Sequence, residues 1–182
     1  MDMGLAPGLL PGRATLADAD RFADAWPGVP DAIGRDTLAT LEAASNGEVD
    51  VLVLLGADLL ADVPDGDLAR RALAGAGTVI AVDLFATGSV ASADVVLPAA
   101  GPTEVDGTFT NLEGRVSQVT RKVTSPGTSR PDWMIAVDLA DRLGVDLGFM
   151  SAADIWAELT TVSAVHAGFS TSAIAADSTE GV

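Results

Sequence analysis

Val51-Leu52-Val53-Leu54-Leu55 is five apolar residues in succession. A strand with one wet face alternates apolar and polar side chains. An unbroken run reads instead as a strand buried on both faces, the habit of parallel sheets. Thr78-Val79-Ile80-Ala81-Val82 repeats the pattern, and Val95-Val96-Leu97 is a shorter third strand closed by Pro98. Between the first two, a helix is expected over Asp67 to Ala74, stopped by Gly75 and Gly77. Upstream, Asp36 is a good N-cap for a helix through Ser45, with Leu38 and Leu41 on its inner face and Gly47 just beyond its end. Helix, strand, helix, strand, turn, strand with brief connections is solved by right-handed crossovers. The expected fold is therefore α/β, with a doubly wound, mostly parallel sheet.

Outward from this centre the signals weaken. Pro7, Pro11, Pro27 and Pro30 punctuate residues 1–35, which read as an extended entry segment with room for a short helix around Leu16 to Ala25. Residues 101–128 interleave glycine, threonine and polar side chains with Phe109, Val116 and Val119, giving a loop and then a short strand or hairpin near Arg115 to Val123. Pro131 suits the first turn of a helix through Leu143, with Ile135, Leu139 and Leu143 at four-residue spacing and Gly144 as the stop. Ser151, three residues before Asp154, resembles a capping box for a last helix reaching about Val165. The organisation expected is thus an entry segment over 1–35, one α/β domain over 36–165, and a polar, disordered tail over 166–182.

Composition removes several function classes. At 182 residues with 48% hydrophobic and only 4% aromatic residues, the chain favours close helix-on-sheet packing. No stretch approaches the roughly 20 apolar residues that cross a bilayer, so direct membrane insertion is not expected. Proline and glycine interrupt the first residues, which do not read as a signal peptide, and the expected location is cytoplasmic. A net charge of −16 argues against nucleic acid or an anionic membrane as partner. With no cysteine, the chain can neither ligate an iron–sulfur cluster nor use a thiol, and a single histidine makes a zinc site untenable.

The candidate chemistry is sparse. The turn after the first strand, Gly56-Ala57-Asp58-Leu59, lacks the G-x-G-x-x-G that lets backbone amides approach a pyrophosphate, and Asp58 reads as a cap for the next segment. Asp83 ends the second strand, where a ribose-binding acid can sit, but a turn-forming role is the default there. His166 reads as a helix-end histidine, and Trp26, Trp133 and Trp156 as anchors where helices meet the sheet. Ser170 to Ser172 are tail residues rather than nucleophiles. The densest polar constellation is Glu104, Asp106, Thr108, Asn111, Glu113, Arg115 and Gln118, with Gly101, Gly107 and Gly114 allowing sharp turns. Chemistry alone allows Arg115 to pair with Glu104 or Glu113, in either an ordered functional loop or a structural clasp.

The wording of this region is particular. Ala93-Asp94-Val95-Val96-Leu97-Pro98, then Glu104 through Val116, resembles the ADVVLP…E-x-x-G-T-x-x-N-x-E-G-R signature of molybdopterin oxidoreductases, and Asp132-Trp133 resembles that family's DW segment. Asp2-Met3-Gly4-Leu5 with Leu10-Pro11-Gly12-Arg13, and Gly56-Ala57-Asp58, resemble the branch formed by the cluster-bearing, G-type large subunit of NADH:quinone oxidoreductases. Members carrying the molybdenum cofactor more often show Gly-x-Asn-Pro at the post-strand turn, where this chain has Asp58-Leu59.

The resemblance implies electron transfer from NADH to quinone, coupled to ion translocation by a whole complex. This region would be a scaffold without its own redox centre, on the cytoplasmic side of the plasma membrane among the other subunits of an NADH dehydrogenase. It implies no cofactor in this chain, iron–sulfur clusters in an N-terminal part preceding it, and a C-terminal fragment as the identity of the sequence. Glu104, Gly107, Thr108, Asn111, Glu113, Gly114 and Arg115 would form a structural loop, with Arg115 bridging carboxylates. One alternative is a formate dehydrogenase-like subunit, holding the guanine dinucleotide of a pterin through Gly56, Asp58, Asp83, Glu104, Thr108, Asn111 and Arg115. Another is a stand-alone α/β binding module.

Overall fold

The computed structural model describes residues 10, 11, 14–26, 28–30, 32, 34–111, 113 and 115–169, leaving the Thr110 side chain aside. The expectations for residues 2–5, Gly12, Arg13, Gly114 and the tail from Ser170 lie outside the described residues. The chain divides into two compact units, each built from separate stretches. One comprises residues 35–104 and 123–144; the other takes the described residues within 10–34, 105–122 and 145–169.

The first unit is the parallel sheet. Helix α1 (Thr37–Ser45) leads into β1 (Val51–Leu55), the single turn α2 (Leu59–Asp62), α3 (Gly66–Gly75), β2 (Thr78–Asp83), a 3-10 turn at Val90–Ser92, β3 (Val95–Pro98) and finally α4 (Asp132–Arg142). The strands lie in the order β1-β2-β3, all parallel, with Leu52 beside Val79 and Ala81 beside Val96. Leu52, Leu54, Val79 and Ala81 point to one face and are buried with Leu41, Ala44, Leu68, Ala69, Ala72 and Leu73 of α1 and α3. Small residues let these helices meet closely: a methyl added at Gly75 would run into the Ala44 carbonyl oxygen.

The side chain of Asp36 caps α1 by accepting from Ala39 N at 2.8 Å, as the sequence indicates. Leu41 is buried but Leu38 is exposed, because α3 covers a narrower stripe of α1 than the periodicity suggests. Helix α3 starts one residue earlier than expected, since the Asp65 carboxylate accepts from Asp67 N and Leu68 N.

Helices flank both faces of the sheet, but unequally. On the second face, Ile135 of α4 packs with Val82, Leu97 and Ala99. Beside them the alternate β1 residues Val51, Val53 and Leu55 stay open. The reading of β1 as buried on both faces is therefore corrected: within this unit it is buried on one, because α4, the unit's helix on the other face, packs over Val82 and Leu97 rather than over β1. The Asp94 carboxylate accepts from Val79 N at 2.7 Å, tying the entrance of β3 to the start of β2.

The second unit is the loop and hairpin excursion. β4 (Gly107–Thr110) pairs antiparallel with β5 (Val116–Val119), placing Thr108 opposite Gln118. Helix α5 (Ala152–Val162) brings Trp156 against Val116, with Leu159 and Phe169 around them. A 3-10 helix at Leu16–Arg21 stands where the sequence leaves room for a short helix, followed by buried Phe22 stacked on Trp26. Within this unit Trp156 is an anchor against the hairpin and Trp26 one against Phe22, where the sequence predicts helix-on-sheet anchors. Trp133, in α4 of the first unit, is partly buried. Among the described residues no helix is long and apolar enough to cross a membrane.

Candidate functional site

In an open parallel sheet the loops at the carboxyl ends of the strands are where a ligand would be met. Here those loops hold Gly56, Asp58, Asp83, Gly101 and Glu104. β1 leaves the sheet through Gly56, whose φ of +58° needs a residue without a Cβ. Its N–H donates to the Val82 carbonyl at 2.8 Å. Asp58 is the N-cap residue of α2, yet its side chain does not cap that helix. One carboxylate oxygen instead accepts from the Ser89 hydroxyl at 2.6 Å and from Ser89 N at 3.2 Å. Ser89, fully buried, accepts in turn from Leu60 N at 3.2 Å. The N–H of Asp58 donates to the Asp62 carboxylate.

Asp83 serves its own turn: its carboxylate accepts from Phe85 N at 3.1 Å, and its carbonyl accepts from Ala99 N at 3.0 Å. Glu104 closes the next loop by accepting from Gly101 N at 2.9 Å. Asp132, in the first turn of α4, faces Asp83. Burial, and then the Asp83 charge, push the Asp132 carboxyl above its usual range. Arg130 is engaged with Asp138, and Arg35 with Glu48 at 3.1 Å.

The polar constellation of residues 104–118 is divided between the units: Glu104 belongs to the sheet unit, the rest to the hairpin unit. Within the hairpin, the Asn111 side-chain oxygen accepts from Glu113 N at 2.9 Å and Arg115 N at 3.0 Å, while Asn111 N donates to the Arg115 carbonyl. One amide side chain thereby organises the whole bend. Arg115 and Glu113 are an ion pair at 3.6 Å with side chains 51% and 76% exposed, so water screens most of the attraction. Asp106 accepts from Arg121 N at 3.0 Å and holds the open end of the hairpin. Gly107 and Thr108 open β4, and together with Asp106, Gln118, Ala152, Ala153 and Trp156 they line a small cavity of about 120 Å³.

His166 follows α5 in a turn, at the helix end as the sequence indicates. Its Nδ1 lies 2.8 Å from the hydroxyl of Ser163, which is buried. The ring sits edge-on to Trp156, with centroids 5.7 Å apart. Burial lowers its pKa below the usual imidazole value. Ser163 and Ser89 are the residues that sequence reasoning missed. Each is one of several small polar residues in a loop, and only their burial distinguishes them. Among the described residues no cluster of histidine and carboxylate side chains is arranged to hold a metal.

The pattern of the molybdopterin oxidoreductase family matches residues 12–142. The alpha subunit of an NADPH-Fe(3+) oxidoreductase from Geobacter sulfurreducens is 34% identical over 168 residues, which cover 92% of this chain and 20% of that one. A G-type NADH-quinone oxidoreductase subunit from Rhizobium meliloti is 44% identical over 129 residues, covering 69% of this chain and 15% of that protein. The alpha subunit of F420-dependent formate dehydrogenase 2 from Methanococcus maripaludis is 35% identical over 174 residues, covering 93% and 26%. Acetylene hydratase from Pelobacter acetylenicus has a similar fold, with a TM-score of 0.63 at 20% identity over 77% of this chain and 20% of its own. The chain thus spans between about a seventh and a quarter of the length of these curated relatives.

Proposed function

Because the chain belongs to the molybdopterin oxidoreductase family, we propose that it is a scaffold region of the large subunit of a multisubunit oxidoreductase, of the kind that the G-type subunit forms in NADH:quinone oxidoreductases. In that setting the whole complex passes electrons from NADH to quinone and couples this to ion translocation. The chain itself holds no redox centre, and the iron–sulfur clusters belong to an N-terminal part outside it. Its partners are the other subunits of the complex, at the cytoplasmic face of the plasma membrane.

The observation that carries this reading is that three amides of the turn after β1 are already engaged and its carboxylates add negative charge. A pterin dinucleotide brings an anionic pyrophosphate, which wants unengaged N–H groups or cations. The N–H groups of Gly56, Asp58 and Leu60 are already bonded to Val82, Asp62 and Ser89. The Asp58 carboxylate is held by Ser89, and Asp83 and Asp132 add negative charge at the same end of the sheet. These residues do not fit the group, and no chemistry is routed through it. The loop from Gly107 to Arg115 is then a structural clasp organised by Asn111.

A formate dehydrogenase-like subunit is the second reading. It is favoured by the extent of similarity to the formate dehydrogenase of Methanococcus maripaludis, 93% of this chain against 69% for the NADH-quinone oxidoreductase subunit. Isolation of the native protein with its partners, followed by metal analysis and nucleotide release by acid, separates the two. Iron without molybdenum or guanine nucleotide, together with other dehydrogenase subunits, is the expected result. Stoichiometric molybdenum and guanine nucleotide would replace the first reading by the second. A free chain without iron or partners would leave a stand-alone module and overturn both.

A further inference from the structure

We propose that Asn46 is a self-modification site: its side-chain amide is lost to attack by the Gly47 nitrogen, and the C-terminal cap of α1 gates that reaction. Asn46 and Asn111 are the two asparagines of the chain, and only Asn46 precedes a glycine. A glycine nitrogen is the least hindered nucleophile that a backbone offers, because no side chain stands beside it. In the reaction Gly47 N gives its proton to solvent and attacks Asn46 Cγ. The Cγ–Nδ2 bond breaks, the departing nitrogen takes up a proton, and ammonia leaves. Water then opens the five-membered imide at one carbonyl or the other, giving aspartate or isoaspartate. Nothing is oxidised or reduced, and water is the only co-reactant.

In the folded chain neither the nitrogen nor the geometry is ready. Helix α1 ends in a left-handed glycine cap: Gly47, at φ +76°, donates its N–H to the Ala44 carbonyl at 3.0 Å, and Glu48 N donates to the Ala43 carbonyl at 2.9 Å. Asn46 has a ψ of 0°, which eclipses the Gly47 nitrogen with the Asn46 nitrogen. Ring closure needs the Gly47 nitrogen beside Cβ instead, about 120° away around the tetrahedral Cα. Turning ψ that far pulls Gly47 N and Glu48 N off their acceptors. Helix α3 braces the closed state. The Ala44 carbonyl oxygen that accepts from Gly47 is the one that a methyl at Gly75 would strike, so the cap lies on the tight seam between α1 and α3.

Reaction follows the fraction of time that this helix end is open, and it does not reverse. The product puts a carboxylate at the carbonyl end of α1, where the helix dipole disfavours a negative charge. Isoaspartate also adds a methylene to the main chain between the donors of the cap and their acceptors. The modified chain therefore closes the cap less well than the parent.

The test uses the full chain at mildly alkaline pH, folded in buffer or unfolded in guanidinium chloride. Deamidation at Asn46 is followed by peptide mass spectrometry, with Asn111 in the same digests as the reference. In the unfolded chain Asn46 is expected to react at least about tenfold faster than Asn111, whose successor is the bulky Leu112. In the folded chain Asn46 is expected to react at least about tenfold more slowly than when unfolded. Hydrogen exchange also needs a free Gly47 N–H, so the slowing should match the protection of the Gly47 amide measured by NMR, and low denaturant should relieve both by the same factor. Equal rates at Asn46 in the folded and unfolded chains overturn the gate, and so does a slowing unrelated to Gly47 exchange. An unfolded chain in which Asn46 reacts no faster than Asn111 overturns the site itself.

Discussion

The Asp58 carboxylate and Ser89, 31 residues apart in sequence, are joined by two hydrogen bonds: the serine hydroxyl donates at 2.6 Å and its N–H at 3.2 Å. Through Leu60 N, which donates to the same hydroxyl, the bond locks the exit of β1 and the first turn of α2 to the loop between β2 and β3. An acid at the end of a parallel strand invites a ligand-binding interpretation. Its engagement with Ser89 makes it a structural residue here.

Ser89→Ala removes both the hydroxyl that Asp58 holds and the acceptor of Leu60 N. We expect a loss of about 1–3 kcal/mol in urea unfolding, since Leu60 N loses its acceptor and Asp58 loses the shorter of its two bonds to Ser89 while keeping the one from Ser89 N. Asp58→Asn keeps an acceptor oxygen and is expected to cost less than Ser89→Ala. The reverse order would mean that the carboxylate is needed for its charge, and so for something other than this lock.

Gly75→Ala tests the close approach of α3 to α1. Alanine is the better helix former, and at an exposed site the change would stabilise by several tenths of a kcal/mol. Here the methyl meets the Ala44 carbonyl oxygen and the Ser45 backbone, which cannot swing aside as a side chain can. We expect a net destabilisation of about 1–3 kcal/mol by chemical denaturation. An unchanged or raised midpoint would show that the helices separate without cost.

Asn111→Asp and Asn111→Ala distinguish an organising side chain from a ligand. The side-chain oxygen accepts from Glu113 N and Arg115 N, and aspartate preserves that acceptor. The alanine variant should lose about 1 kcal/mol and show faster amide exchange at residues 113 and 115, with the aspartate variant close to the parent. Equal exchange in all three proteins would remove Asn111 from the role assigned to it.

His166 gives a pH dependence of defined sign. Burial lowers its pKa in the folded protein, so below the usual imidazole value of about 6.5 the unfolded chain binds a proton that the folded chain resists. The contribution is fully present above that value and is lost as pH falls through it toward the folded pKa. Unfolding midpoints measured from about pH 7.5 down to about pH 5.5, a window that brackets the usual imidazole value, should decline more in the parent than in His166→Gln. Identical slopes would place the pH response elsewhere.

The Asp36 cap, the stop at Gly144 with its φ of +85°, and the serine that caps α5 at 3.2 Å are set by a few adjacent residues, and each is legible in the sequence. The three parallel strands are legible for the same reason, since an apolar run bounded by turn residues is a local signal. Ser89 and Ser163 are not. Nothing in a loop sequence tells a buried hydroxyl from a wet one, because its burial depends on segments far along the chain. Likewise the polar residues 104–118 read as one constellation, yet Glu104 folds with the sheet unit and Asn111 with the hairpin.

The strand Val51–Leu55 marks the division most clearly. Its residue types and spacing determined that it is a strand, that it lies in a parallel sheet, and that both its faces are apolar, because those follow from backbone preference and side-chain transfer energy. Which face is covered within the sheet unit was decided only by tertiary structure: Leu52 and Leu54 are buried because α1 and α3 pack there, and Val51, Val53 and Leu55 are open because α4 packs over Val82 and Leu97 instead. Hydrophobicity states what a side chain favours, and packing partners decide whether it is met.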